Sequence, residues 1–242
     1  MKYSSSIIAF ILACLLSGCM QTYQTPGTRA NLAELAPMNI KDGFLSEPSN
    51  PFPANIVAIR VQDGNYTNYN LGKYGGVVAR GRYSVVPTRE VEEEKALQQI
   101  QSLPKVNQII SLNRLLLPDQ LNSLDQLRES ASKLKGDLIL LYTFDTVFFD
   151  EDKARVLTTI TLGFSPNKRI HATTTASALL IDTRTGYIYS AYESTASDKK
   201  LSSAWGTREL ADKVRLETEK EAFSKLADEF VKTWGNISNL KP

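Results

Sequence analysis

Two cysteines and a single histidine, Cys14, Cys19 and His171, are all the thiol and imidazole groups in 242 residues. Both cysteines lie in the first nineteen positions, so from residue 20 onward the chain has neither a disulfide nor a thiolate nucleophile, and its fold rests on the hydrophobic core alone. Zinc sites draw three or four ligands from just these residue types, so the common zinc and thiolate centres are excluded. The sequence also lacks a Gly-x-Ser-x-Gly elbow and a phosphate-cradling glycine-rich loop ahead of a helix. The apolar run Ile7 to Leu16, about ten residues, is too short for a stable membrane span. Charge of one sign is missing as well: 28 Lys and Arg are interleaved with 26 Asp and Glu, giving a formal +2. A nucleic-acid partner wants a concentrated basic face, so none is expected.

The amino terminus is the most informative stretch. Lys2, the run Ile7 to Leu16 and the small residues Ser17 and Gly18 have the layout of a secretory signal over residues 1–18. The ending Leu16-Ser17-Gly18-Cys19 resembles the bacterial lipoprotein box, in which the signal is cut ahead of the cysteine and that cysteine becomes the acylated first residue. The resemblance implies three acyl chains on Cys19, where two membrane signals already hold firmly. The alternative is an ordinary cleaved signal with Cys19 as a chance thiol. Met20 follows, where an Asp would by the family's rule retain the protein at the inner membrane; an outer-membrane anchor facing the periplasm is therefore implied. Losing Lys2 with the signal leaves a balance of +1.

Residues 19–53 carry Pro26, Pro37, Pro48, Pro51 and Pro53 with few contiguous apolar positions, and read as a lipidated tether. Leu32, Leu35 and Met38 offer a short docking turn as the alternative to a solvated linker. A single α/β (α+β) domain is expected over 54–235, with a tail at 236–242. Its first strand is the β-branched run Asn55 to Val61, bounded by Pro53 and Asp63-Gly64. A loop over 62–82 holds Tyr66, Tyr69, Tyr74, Arg80 and Arg82 among glycines, a mixture that adaptable binding surfaces use, and these five are the candidate partner-binding residues. A mobile hairpin or a sheet edge is the plainer alternative.

Further strands are expected at Tyr83 to Val86, Val106 to Leu112, Asp137 to Val147, Arg155 to Phe164, His171 to Ile181 and Tyr187 to Ser194. Helices are expected from Thr88 to about Leu103, from Pro118-Asp119 to Leu134 with Gly136 as its cap, and from Thr207 to Trp234 with Gly235 as its stop. Asp150-Glu151-Asp152 reads as a charged turn whose spacing lacks the alternation and glycine of a calcium loop, so no metal is assigned. The whole predicts one mixed, largely antiparallel sheet of about five to six strands packed with about three helices.

Gly136-Asp137-Leu138-Ile139-Leu140, followed by Leu180 to Ile188 with its Asp182-Thr183-Arg184-Thr185-Gly186 turn, resembles the periplasmic α/β domain shared by the curli-export lipoprotein, activators of peptidoglycan synthases and the amino-terminal domain of the Tol translocation protein. Leu141 to Thr146 with Thr173 to Ser177 is similar, more narrowly, to the rhombotarget lipoproteins. The resemblance covers about residues 54–234 and implies a domain that docks to other proteins, with no catalytic residues and no cofactor to carry over.

The expected function is accordingly a non-enzymatic lipid-anchored docking or assembly factor of the cell envelope, with an envelope protein as partner and homo-oligomerisation left open. Two alternatives stand beside it. One is a pore subunit like the curli exporter, for which Val156 to Phe164 supplies one suitably alternating strand but no clear hairpin partner follows. The other is a hydrolase in which Asp145 and Glu193 meet on adjacent strands, or His171 acts as a base.

Overall fold

The computed structural model describes residues 29–36, 40–67, 76–87, 91–152, 168–202 and 207–239. Among these, six strands form one open sheet: β1 (Ala54–Asp63), β2 (Tyr83–Val85), β3 (Val106–Ser111), β4 (Leu138–Asp152), β5 (Lys168–Asp182) and β6 (Ile188–Ser202). Five helices accompany it: α1 (Leu32–Leu35), α2 (Ile40–Leu45), α3 (Glu94–Gln101), α4 (Leu124–Lys133) and α5 (Thr207–Ser238). The order is β2-β1-β4-β5-β6, with β3 beside the first half of β1. β1 runs parallel to β3 and β4, and the β4-β5-β6 meander is antiparallel. The expected mixed α/β architecture is the one found.

Burial on both faces explains why β1 and β4 are apolar without alternation. Ile56 and Ala58 on β1, with Leu138, Leu140, Tyr142 and Phe144 on β4, face a core closed by α3 and α5. Val57, Ile59, Val61, Ile139 and Leu141 face the opposite way, against Leu124, Leu127 and Ala131 of α4. β5 presents Ala172, Ala176 and Ala178 to α5, small residues that let the helix lie close. In return α5 buries Val214, Phe223, Leu226, Phe230 and Trp234. At roughly 1.5–3 kcal/mol per large side chain, this one helix contributes on the order of 10 kcal/mol of gross apolar burial.

Several boundaries differ from the sequence-based expectation. α5 runs through Gly235 to Ser238, because Ile237 is buried beyond it and Lys105 Nζ donates to the Ser238 carbonyl at 2.8 Å. Those contacts offset the roughly 1 kcal/mol that a helical glycine costs. α4 starts at Leu124, not Pro118, because Ser123 and Gln126 form a capping box, and Leu121 instead bridges to Tyr83 as a buried coil residue. Gly136 is required for closeness: a Cβ there would lie 2.2 Å from Val57 Cγ2, while the left-handed residue after α4 is Lys135. Gly186 does take the left-handed conformation, at φ 78°. β4, β5 and β6 are longer than expected. Asp150, Glu151 and Asp152, expected to form a charged turn, are strand residues in register with Ile170, Arg169 and Lys168. Thr88 and the segment Arg155 to Phe164 lie outside the described residues.

The largest correction concerns the tether. Ala30 and Leu35 are buried, and Leu35 packs among Val57, Ile59 and Leu121. Ser49 is bonded to Asp182, and Phe52 sits edge-on to Trp234 at 5.5 Å and to Tyr189 at 6.1 Å. The stretch expected to be solvated is therefore docked at Arg29 to Ala36 and again at Ser49 to Phe52, and the docking turn at Leu32 and Leu35 is the reading that holds. Met38 lies outside the described residues.

Candidate functional site

The half of the sheet under β1 and β4 is covered on both faces, but β5 and β6 are covered only by α5. Their other face is open among the described residues. Because side chains alternate along a strand, this face carries Thr143 and Asp145 from β4, Thr173, Thr175, Ser177 and Leu179 from β5, and Ala191, Glu193, Thr195 and Ser197 from β6. The register sets them in rungs. Thr173 and Ser197 hydroxyls are 2.9 Å apart, Thr175 and Thr195 3.1 Å, and Ser177 donates to Glu193 at 3.1 Å. Hydroxyls that satisfy one another sideways leave a surface stable in water and ready to contact another polar surface, with Val147, 47% exposed and in register with Thr173, as an apolar position beside them.

One end of this face is bounded by the amino-terminal arm. The Ala30 amide donates to Thr143 Oγ1 at 3.0 Å, and Thr143 donates to Gln62 Oε1 at 2.5 Å. Gln62 in turn stands in for a peptide group where β1 parts from β4: its Nε2 donates to the Phe144 carbonyl, and its Oε1 accepts from the Phe144 amide, both at 3.0 Å. The arm is thus locked to the sheet by a buried side chain whose every polar atom is used. Between the arm and the open face lies a cleft of about 430 Å³, walled by Arg29, Asn31 and Leu32 and floored by Thr143, Ser177, Leu179, Ala191 and Glu193. Its lining mixes the apolar Leu179 and Ala191 with the hydroxyls of Thr143 and Ser177 and one side chain of each charge, Arg29 and Glu193.

The arm has a second clamp. Asp182, the first residue of the expected tight turn, is buried, and its Oδ1 accepts from the Arg184 and Thr185 amides at 2.9 and 3.1 Å. Its Oδ2 accepts from the Ser49 amide at 2.9 Å, the Ser49 hydroxyl at 2.5 Å and the Tyr189 hydroxyl at 3.1 Å. Burial pushes this carboxyl up, but the bonds from Ser49, Thr185 and Arg184 outweigh it and hold the carboxyl below the usual range. Tyr189 is pushed up, by burial first and then by the charge of Asp182. The Asp-Thr-Arg-Thr-Gly motif is therefore a structural fastening, and it fastens the chain that leads to the amino terminus.

Beneath the sheet, facing α5, is a buried charged network that the sequence reading did not single out. Glu219 Oε2 accepts from Arg215 Nη1 at 2.9 Å and Arg60 Nη2 at 3.2 Å, while Asp212 Oδ1 accepts from Arg215 Nε at 3.0 Å. Arg60, Glu219 and Arg215 are each 2% exposed or less. The Arg60 guanidinium lies over the Phe144 ring at 4.6 Å and the Tyr66 ring at 5.6 Å, and donates to the Tyr66 hydroxyl at 3.1 Å. Thr146 donates to Glu219 Oε1 at 3.2 Å. A signal was available, since Asp212, Arg215 and Glu219 sit at helical i, i+3 and i+4 spacing inside the apolar stripe of α5, where a charge demands a partner.

Of the five candidate partner-binding residues, Tyr66 is fully buried as the lid of this network, which corrects the expectation that it is presented to a partner. Arg82 is exposed and ion-paired to Glu34 of α1, and Arg80 is exposed with its Nη2 3.4 Å from the Tyr66 carbonyl. Tyr69, Tyr74 and Cys19 lie outside the described residues. Asp145 and Glu193 share the open face, but β5 lies between them: one is in register with Thr175, the other with Ser177. Two strand spacings put their backbones about 10 Å apart at the least. His171, in register with Phe149 and Lys199, is four residues, roughly 13 Å, further along β5 from Thr175. The three do not converge. Among the described residues no group of three or more His, Cys, Asp or Glu is placed to hold a metal ion, and no helix is long and apolar enough to cross a membrane.

No family model matches this chain, and no curated protein matches it. Among solved structures it is similar to a protein of Xanthomonas campestris described as belonging to family DUF330, at 12% identity and a TM-score of 0.37, over 81% of this chain and 95% of that one. A second, from Caulobacter crescentus and described as a "putative lipoprotein", shares 14% identity at a TM-score of 0.26, over 44% of this chain and 70% of that one.

Proposed function

We propose that this chain is a non-enzymatic lipoprotein, anchored through Cys19 in the outer membrane with its domain in the periplasm, and that it docks an envelope protein on the open face of β4, β5 and β6. The observation that carries this reading is a sheet face left bare among the described residues beside a cleft, with the amino-terminal arm fastened at that edge by the bond from the Ala30 amide to Thr143. An exposed three-stranded surface whose hydroxyls are mutually bonded suits recognition by shape and by a polar rim. The scattered placement of Asp145, Glu193 and His171 favours binding over hydrolysis. The sequence resemblance to periplasmic docking domains and rhombotarget lipoproteins agrees with this assignment.

The test is crosslinking in intact envelopes followed by purification of the lipidated chain, with Thr175→Arg and Thr195→Arg compared against the unaltered protein. Both positions are solvent-facing, so the variants are expected to fold, while two added cations on the face should remove the crosslinked partner. Partner recovery unchanged by both substitutions would end the assignment of the face. Incorporation of labelled palmitate that survives Cys19→Ser would end the assignment of the anchor.

A further inference from the structure

α2 is an anomaly in a well-packed chain. It has no buried residue, and Ile40, Phe44 and Leu45 are 82%, 89% and 67% exposed. Isolated apolar residues on a surface need no explanation, but three on one six-residue helix, at spacing i, i+4 and i+5, form a single apolar point. The flanks of α2 are fixed: Leu35 is buried on one side, and Ser49 is clamped to Asp182 on the other. The helix is therefore held out from the domain by a closed loop.

What lies opposite it follows from chain length. Only about ten residues separate Cys19 from Arg29, the first described residue, which bridges to Gln62, and at most that allows about 35 Å. We infer that α2 is a second membrane contact, its Ile40, Phe44 and Leu45 inserted in the headgroup boundary of the leaflet that carries the Cys19 lipid. The inference rests on the proposed anchor. A short apolar point adds to an acyl anchor as the second signal that fixes orientation, since one attachment alone leaves a domain free to rotate. With both in place, the arm and its cleft have a defined attitude to the bilayer.

The mature chain has no thiol besides the acylated Cys19, so a single introduced cysteine can be labelled with a polarity-sensitive fluorophore. Ile40→Cys, Phe44→Cys and Leu45→Cys, each labelled and reconstituted in phospholipid vesicles, should show a blue-shifted emission that is quenched by lipids spin-labelled near the headgroup. Glu129→Cys on the exposed side of α4 should show neither. A parallel set carries an amino-terminal hexahistidine in place of Cys19 on nickel-chelating vesicles, so that attachment no longer depends on acylation. Failure of the native chain to float with vesicles, with a blue shift in the tagged set, would overturn the anchor and leave α2 as a membrane contact. Bound protein in which positions 40, 44 and 45 report water, or in which position 129 shifts equally, would overturn the inference itself.

Discussion

Replacing Glu219 by Gln tests the core of the packing argument. The substitution keeps the shape of the side chain, so the cavity term that accompanies a truncation is nearly absent. It removes the carboxylate shared by Arg60 and Arg215, at 3.2 and 2.9 Å, while Arg215 keeps its pair with Asp212. Removing one partner of a buried ion pair costs about 3–5 kcal/mol. The Phe144 and Tyr66 rings beside Arg60 recover part of that, on the order of 1–2 kcal/mol, because they attract a desolvated cation. A net loss of about 2–4 kcal/mol is expected. With a urea slope of roughly 2 kcal/mol per molar, the unfolding midpoint should fall by about 1–2 M. The double variant Arg60→Met with Glu219→Met removes one ion pair whole, leaves Arg215 with Asp212, and should lose less than Glu219→Gln. A loss below about 1 kcal/mol for Glu219→Gln would refute the reasoning, since that is what an exposed pair contributes. A double variant worse than the single would refute it equally.

Two further perturbations address the arm and the sheet. The Asp182 carboxyl is held below its ordinary value in the folded chain, so its contribution is fully present above about pH 4 and is lost as pH falls through its lower folded value. Limited proteolysis between residues 37 and 49 should rise sharply on that descent, and Asp182→Asn should show the higher cleavage already at pH 7; an unchanged pH profile in the Asn variant would contradict the clamp. Gly136→Ala forces a Cβ onto Val57 Cγ2 and should cost about 1–3 kcal/mol. Val57→Ala in the same chain should return part of that loss, and strict additivity of the two changes would show that the contact is not the cause.

The elements that the sequence announced are those whose signal is local. β1 and the first half of β4 are continuous apolar runs, and α5 repeats Phe223, Leu226, Phe230 and Trp234 along one stripe, so their existence needs no distant partner. What escaped was decided at long range. Nothing near Ala30 says that its amide meets Thr143, and nothing near Arg60 says that Glu219 lies 159 positions away. Tyr66 looked like a binding residue because tyrosine serves both roles, and only the guanidinium beneath it chooses between them. The start of β5, Lys168 to Ile170, and the later part of β6, after Ser194, escaped because their Ser, Thr and charged residues carry little apolar pattern. The open face was half legible: the Thr173, Thr175, Ser177 alternation announces one polar side, but not that no helix among the described residues covers it.

Docking of the arm at Arg29 changes the statistics of encounter. On the proposed anchor, the stretch of about ten residues between Cys19 and Arg29, at roughly 3.1 Å each, bounds the reach of the domain to a half-sphere of radius about 30 Å, whereas one of about 35 residues would bound it to about 100 Å. One domain in the smaller volume corresponds to an effective concentration on the order of 30 mM, against about 1 mM in the larger. A partner embedded in the same leaflet is then met some thirtyfold more often, while one rooted across the periplasm falls outside the leash. The few residues that fasten this chain near its own amino terminus thereby act as a filter on which side of the envelope its company is kept.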